Sequence, residues 1–134
     1  MDGVLTGRKV PREAAAHIYG KIRLFGLIVN EELGGESSSL AVDVIVPVYR
    51  DIEKTRRCLE SILAARQKTA FELIVIDDAS PEPALAHYLA SLEGRECVTV
   101  LRNPHNLGFV RTVNRGMALH TDRDVVLLNS DTEV

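Results

Sequence analysis

Four short runs of aliphatic, largely β-branched residues, at 42–48, 71–76, 98–101 and 125–128, are separated by stretches whose apolar residues recur at helical spacing. That alternation leaves few folds open. It predicts an α/β domain built on a mainly parallel sheet, with right-handed helical crossovers covering its faces. The first run, Val42-Asp43-Val44-Ile45-Val46-Pro47-Val48, is close to continuously apolar, as a strand buried on both faces must be. Asp51 is placed to cap a helix reaching about Arg66, with Ile52, Thr55, Leu59, Ile62 and Leu63 as its inward stripe. Ser80 as N-cap and Pro81 in the first turn open a second helix that turns Leu85, Tyr88, Leu89 and Leu92 inward. A third runs from Phe109 to about His120, with Val110, Val113 and Met117 on one side.

Residues 1–40 read as a lead-in to this domain, which occupies residues 41–134. Ile18, Ile22, Phe25, Val29 and Leu33 predict a helix over 11–33, stopped by Gly34 and Gly35 and followed by a short linker. Lys21 and Arg23 would let such a helix lie on the cytoplasmic face of a membrane. Glu13, Glu31 and Glu32 on its polar face favour packing against a domain instead.

Composition removes several function classes. Lys and Arg total 16 against 19 Asp and Glu, a net charge of −3, so no basic surplus is available for nucleic acid. The two cysteines, Cys58 and Cys97, lie far apart with no neighbouring ligand, which argues against a disulfide framework or a zinc site and for a reducing, cytoplasmic compartment. The apolar runs are far shorter than a membrane span, and the first residues lack a signal-peptide layout.

Ligands of open α/β sheets bind beyond the carboxyl ends of the strands. The four ends here read Pro47-Val48-Tyr49-Arg50, Asp77-Asp78-Ala79-Ser80, Arg102 to Gly108 (R-N-P-H-N-L-G) and Asn129-Ser130-Asp131-Thr132-Glu133. Two of them are acidic, and gathered carboxylates repel unless a cation or hydrogen-bond donors join them. A hard divalent metal with oxygen ligands is the natural partner. No glycine-rich phosphate loop follows the first strand and no G-x-S-x-G elbow occurs, which disfavours dinucleotide oxidoreductases, P-loop nucleotidases and α/β-hydrolases. A nucleotide held by base and ribose contacts, its diphosphate neutralised by a metal, fits these ends. A phospho-acceptor receiver domain expects its acidic pair after the first strand, where this chain has Pro-Val-Tyr.

Five segments in order resemble glycosyltransferase family 2: Val44 to Tyr49, Cys58-Leu59-Glu60-Ser61-Ile62-Leu63, Phe71 to Ser80, Asn103 to Phe109 with Val113-Asn114-Arg115-Gly116, and Val125 to Thr132. The resemblance implies a GT-A, Rossmann-like fold binding a nucleotide-diphosphate sugar and passing the sugar to a glycan or lipid-linked acceptor, as in polysaccharide biosynthesis. Carried over residue by residue, Pro47, Val48 and Tyr49 line the base, Asp78 accepts hydrogen bonds from it, and Asp77 stands beside it. The family's D-x-D metal motif falls on Asn129-Ser130-Asp131, which leaves Asp131 as the main ligand of Mg²⁺ or Mn²⁺. Asn at 129 is shared with a branch resembling rhamnosyltransferases. Arg50 departs from the family's usual Asn.

Each piece has a plainer reading. Asp77 and Asp78 alone fit a solvated turn, Asp131 alone fits surface charge, and Asn106-Leu107-Gly108 reads first as helix-entry chemistry. The family's acceptor half and general base are expected downstream, so these residues are expected to form a donor-binding half without a complete active site. The run at 125–128 would then be an open sheet edge, available for self-association. A non-catalytic nucleotide-binding or interaction module is the alternative.

Overall fold

A computed structural model describes residues 23–24 and 42–134 of the 134-residue chain. The elements are β1 (Arg23–Leu24), β2 (Val42–Val48), α1 (Ile52–Ala64), β3 (Phe71–Asp77), α2 (Pro83–Ala90), β4 (Val98–Arg102), α3 (Phe109–Met117) and β5 (Val125–Leu127). The strands form one sheet in the order β1-β5-β2-β3-β4, and every pairing is parallel. The expected α/β architecture is present, with the first to fourth predicted strands as β2 to β5.

Alternate residues of the central strands enter two cores. Val44, Val46, Val48, Leu73 and Val75 pack against Cys58, Leu59 and Ile62 of α1 and Leu85 and Leu89 of α2. Ile45, Ile74, Ile76 and Leu127 pack against Val113 of α3. Burial on both faces is why β2 and β3 read as apolar runs rather than as alternating ones. α3 lies close on the sheet at Gly116, where a Cβ would stand 2.7 Å from Ile76 Cδ1 and 3.0 Å from Ile45 Cγ2. Among the described residues, no helix is long and apolar enough to cross a membrane.

The structure departs from the sequence expectations at several places. Most of the predicted helix over 11–33 lies outside the described residues, but Arg23 and Leu24 are extended and pair with Val126 and Leu127. The edge expected to stand open at 125–128 is therefore covered at those two positions. A bare strand edge offers unpaired N–H and C=O groups, and satisfying them outweighs a local helical preference. α2 starts later than predicted: Glu82 is its N-cap and Pro83 its first-turn proline, while Ser80 Oγ accepts the Glu82 N–H at 3.1 Å just ahead of the helix. Val110, expected on one side of α3 with Val113 and Met117, is exposed at the first turn, while Val113 is buried. Asp51 does cap α1, accepting the Lys54 N–H at 3.1 Å.

Candidate functional site

The strand order sets the loops after β5, β2, β3 and β4 side by side at the carboxyl edge of the sheet. The β2 and β3 ends are joined by the Asp78 N–H donating to the Val48 carbonyl at 2.8 Å, and the β3 and β4 ends by the Asn103 N–H donating to the Asp77 carbonyl at 2.8 Å. The candidate residues of four separate segments thus share one edge.

After β2, Pro47 is half-buried and Val48 sends its side chain into the core, leaving its carbonyl to hold Asp78. Tyr49 is 38% exposed, with the Arg50 guanidinium 5.3 Å from its ring centre. Hydrogen bonding to Asn106, then to Arg50, draws its phenol below the ordinary range. This contact ties the loop after β2 to the loop after β4.

After β3, both carboxylates are buried. Asp77 Oδ1 accepts the Ser80 N–H at 2.7 Å, and its Oδ2 pairs with Arg102 Nε at 3.3 Å. Asp78 Oδ1 accepts from Asn103 Nδ2 and the Leu107 N–H, each at 2.7 Å, and Oδ2 accepts the Gly108 N–H at 2.9 Å. Burial pushes the Asp78 carboxyl up. Hydrogen bonds from Leu107, Asn103, Thr112 and Gly108 outweigh that and hold it below the usual carboxylate value. A carboxylate with several such donors stays ionised even when dry.

After β4, Asn103 is the hub that the sequence reading left without a role. Its Nδ2 also lies 2.9 Å from Thr112 Oγ1, and its Oδ1 accepts from Arg115 Nη1 at 2.6 Å. The same Arg115 nitrogen donates to the Arg102 carbonyl at 2.6 Å. Asn106 Oδ1 accepts the Gly108 N–H at 2.9 Å, and Gly108 takes a φ of 80° that only glycine adopts freely. Asn103 could have been suspected from its place ahead of Pro104 in a turn-rich segment. The Arg115 guanidinium is thus committed to the loop itself.

After β5, Asn129 and Asp131 are exposed and Ser130 is half-buried. The Thr132 N–H donates to the Asn129 carbonyl at 3.1 Å, closing a turn around Asp131. The Asp131 carboxylate forms no hydrogen bond or ion pair among the described residues. Amide, hydroxyl and carboxylate oxygens at 129–131 make an all-oxygen donor set, the chemistry that suits a hard divalent cation. The group of carboxylates and histidine with ligand atoms within 4.8 Å of one another lies elsewhere: Asp43, Glu72 and His120, at the amino ends of β2 and β3. There Arg123 Nη1 already bridges Asp43 and Glu72, so a guanidinium fills the cation's place.

A family model described as glycosyl transferase family 2 matches residues 43–134. An uncharacterized glycosyltransferase of Escherichia coli, YibD, is 32% identical over 100 residues, covering 73% of this chain and 28% of that protein. An uncharacterized protein of Sinorhizobium fredii, y4gI, is 32% identical over 94 residues, covering 69% of this chain and 10% of that protein. The crystal structure of S. aureus TarS 1-349 superposes with a TM-score of 0.59 at 23% identity, covering 70% of this chain and 28% of that one. The chain thus spans less than a third of the length of each of these proteins.

Proposed function

The chain belongs to glycosyltransferase family 2, and on that premise we propose that residues 42–134 bind the nucleotide-diphosphate part of an activated sugar at the carboxyl edge of the sheet. The observation that carries this reading is the Asp78 network, which joins the loops after β3 and β4 into one wall beside the exposed Tyr49 ring.

Tyr49 offers an aromatic face on which a base stacks, with Asn106 fixing its hydroxyl. Asp78, which takes donors from Leu107, Asn103, Thr112 and Gly108, fixes the wall against which the base lies. Asp77 shapes the turn beside it through Ser80, and Pro47 and the Val48 backbone form the floor. Asn129, Ser130 and Asp131 would hold Mg²⁺ or Mn²⁺. Such a cation neutralises the diphosphate and so stabilises the leaving group.

What this chain contributes is binding and orientation of the donor. Removal of the acceptor's proton is assigned to residues outside it, a division supported by the small share of its relatives that it spans. The acceptor proposed is a glycan or lipid-linked sugar of polysaccharide biosynthesis, and the compartment is the cytoplasm.

Calorimetric titration with UDP, GDP and dTDP tests the reading. At least one should bind in Mn²⁺ and lose affinity in EDTA, and Asp131→Ala should remove the difference between the two conditions. Binding that EDTA leaves intact sinks the cation. No binding of any of the three sinks the donor site, and sugar transfer by this chain alone sinks the assignment of the proton acceptor elsewhere.

A further inference from the structure

Cys58-Leu59-Glu60-Ser61 is part of what marks the family, yet no donor contact described above uses it. In the structure Cys58 and Ser61 stand one turn apart on α1 and both meet the loop after β5. Cys58 is fully buried. Its Sγ lies 3.5 Å from the Asn129 carbonyl, the same oxygen that closes the turn with Thr132. The Thr132 backbone also contacts the thiol. Ser61 Oγ donates to the Cys58 carbonyl at 2.8 Å and accepts the Val134 N–H at 3.2 Å. Leu128, just before the loop, packs in the same core as Cys58.

The loop is therefore held at both ends, Asn129 and Val134, by one face of α1, and the exposed Asp131 lies between the two attachments. We infer that Cys58 and Ser61 are positioning residues for Asp131. A carboxylate that must meet a cation at a fixed place gains from a backbone that is ordered before the ligand arrives. A thiol and a hydroxyl at i and i+3 supply that order through main-chain contacts, which leaves the loop's own side chains free. The inference deepens the donor-site reading and rests on it for the role of Asp131.

The test pairs hydrogen exchange on the full chain with titration of UDP, GDP and dTDP in Mn²⁺ and in EDTA. Cys58→Ala and Ser61→Ala should each speed exchange across 129–134, and Ser61→Ala should leave 71–78 unchanged. Each should weaken the Mn²⁺-dependent part of the affinity about three- to tenfold, the equivalent of one neutral hydrogen bond, with affinity in EDTA unmoved. Ser61→Thr keeps the hydroxyl and should restore both readouts. Ser61 lies at the edge of the core, so its variants stay folded where Cys58→Ala loses packing. Unchanged exchange at 129–134 in Ser61→Ala overturns the inference, as does an equal loss of affinity with and without Mn²⁺. If the parent chain binds none of the three diphosphates, the donor site falls, and exchange alone decides whether α1 pins the loop.

Discussion

The two ends of the sheet neutralise their carboxylates in different ways. At the amino end, Asp43 and Glu72 are register partners on β2 and β3, and both meet Arg123 Nη1. His120 Nδ1 lies 2.8 Å from Asp43 Oδ2, and Thr99 Oγ1 donates to Glu72 at 2.6 Å. At the carboxyl end, Arg102 pairs with Asp77, but Asp78 meets no cation: it accepts the backbone N–H groups of Leu107 and Gly108 and the Asn103 side-chain amide. A side-chain cation cancels the charge and finishes the structure. Backbone donors instead keep the carboxylate ionised and use it to fold a loop. Only the carboxyl edge also carries an exposed aromatic ring, Tyr49, and a carboxylate, Asp131, without a hydrogen bond or ion pair among the described residues.

Changes at each end should separate these roles. Arg123→Ala leaves the fully buried Asp43 with His120 as its remaining side-chain partner and should cost about 3 kcal/mol in urea denaturation. A loss below about 1 kcal/mol would mean that the amino end is not held by this cation. Gly116→Ala forces a methyl against Ile76 and Ile45 and should cost about 1–3 kcal/mol, with α3 displaced from the sheet. An unaltered unfolding midpoint would show that α3 adjusts freely.

Asp78→Asn should cost about 1–2 kcal/mol and loosen residues 103–108 in hydrogen exchange. Because the folded Asp78 carboxyl is held below its usual 3.8, its contribution is present above that value and is lost as pH falls through the folded one. The variant should therefore show a flatter acid limb of stability than the parent, and an identical limb would remove Asp78 as its source. Tyr49→Ala should change stability least, within about 0.5 kcal/mol, while lowering nucleotide affinity by about 1–3 kcal/mol if the ring stacks on a base.

The sheet was legible in the sequence because strands buried on both faces must be nearly continuously apolar, as 42–48 and 71–76 are apart from Asp43 and Glu72. The Asp51 cap was legible because it is a local event, one side chain and a backbone three residues on. Asn103 was not, since its importance lies in partners on β3 and α3 brought together only by the crossover. The start of α2 was misplaced because Ser80-Pro81 carries the cap-and-proline cue, whereas the helix begins at Pro83 behind Glu82, whose side chain makes no cap bond. At Arg23–Leu24 the helical periodicity gave way to a strand whose reason, the edge of β5, lies a hundred residues away.

That pairing carries a consequence for how the chain is made. β2 has β3 on one flank and β5 on the other, and β5, three residues long, is the last of the described strands in chain order. As the polypeptide emerges from the ribosome, β2 and β3 can zip together early, but the opposite flank of β2 must wait until residues 125–127 are synthesised. Parallel partners so distant in sequence close slowly. The nascent domain thus spends its youth with one apolar strand half-married, the stage at which a chaperone would have most to protect.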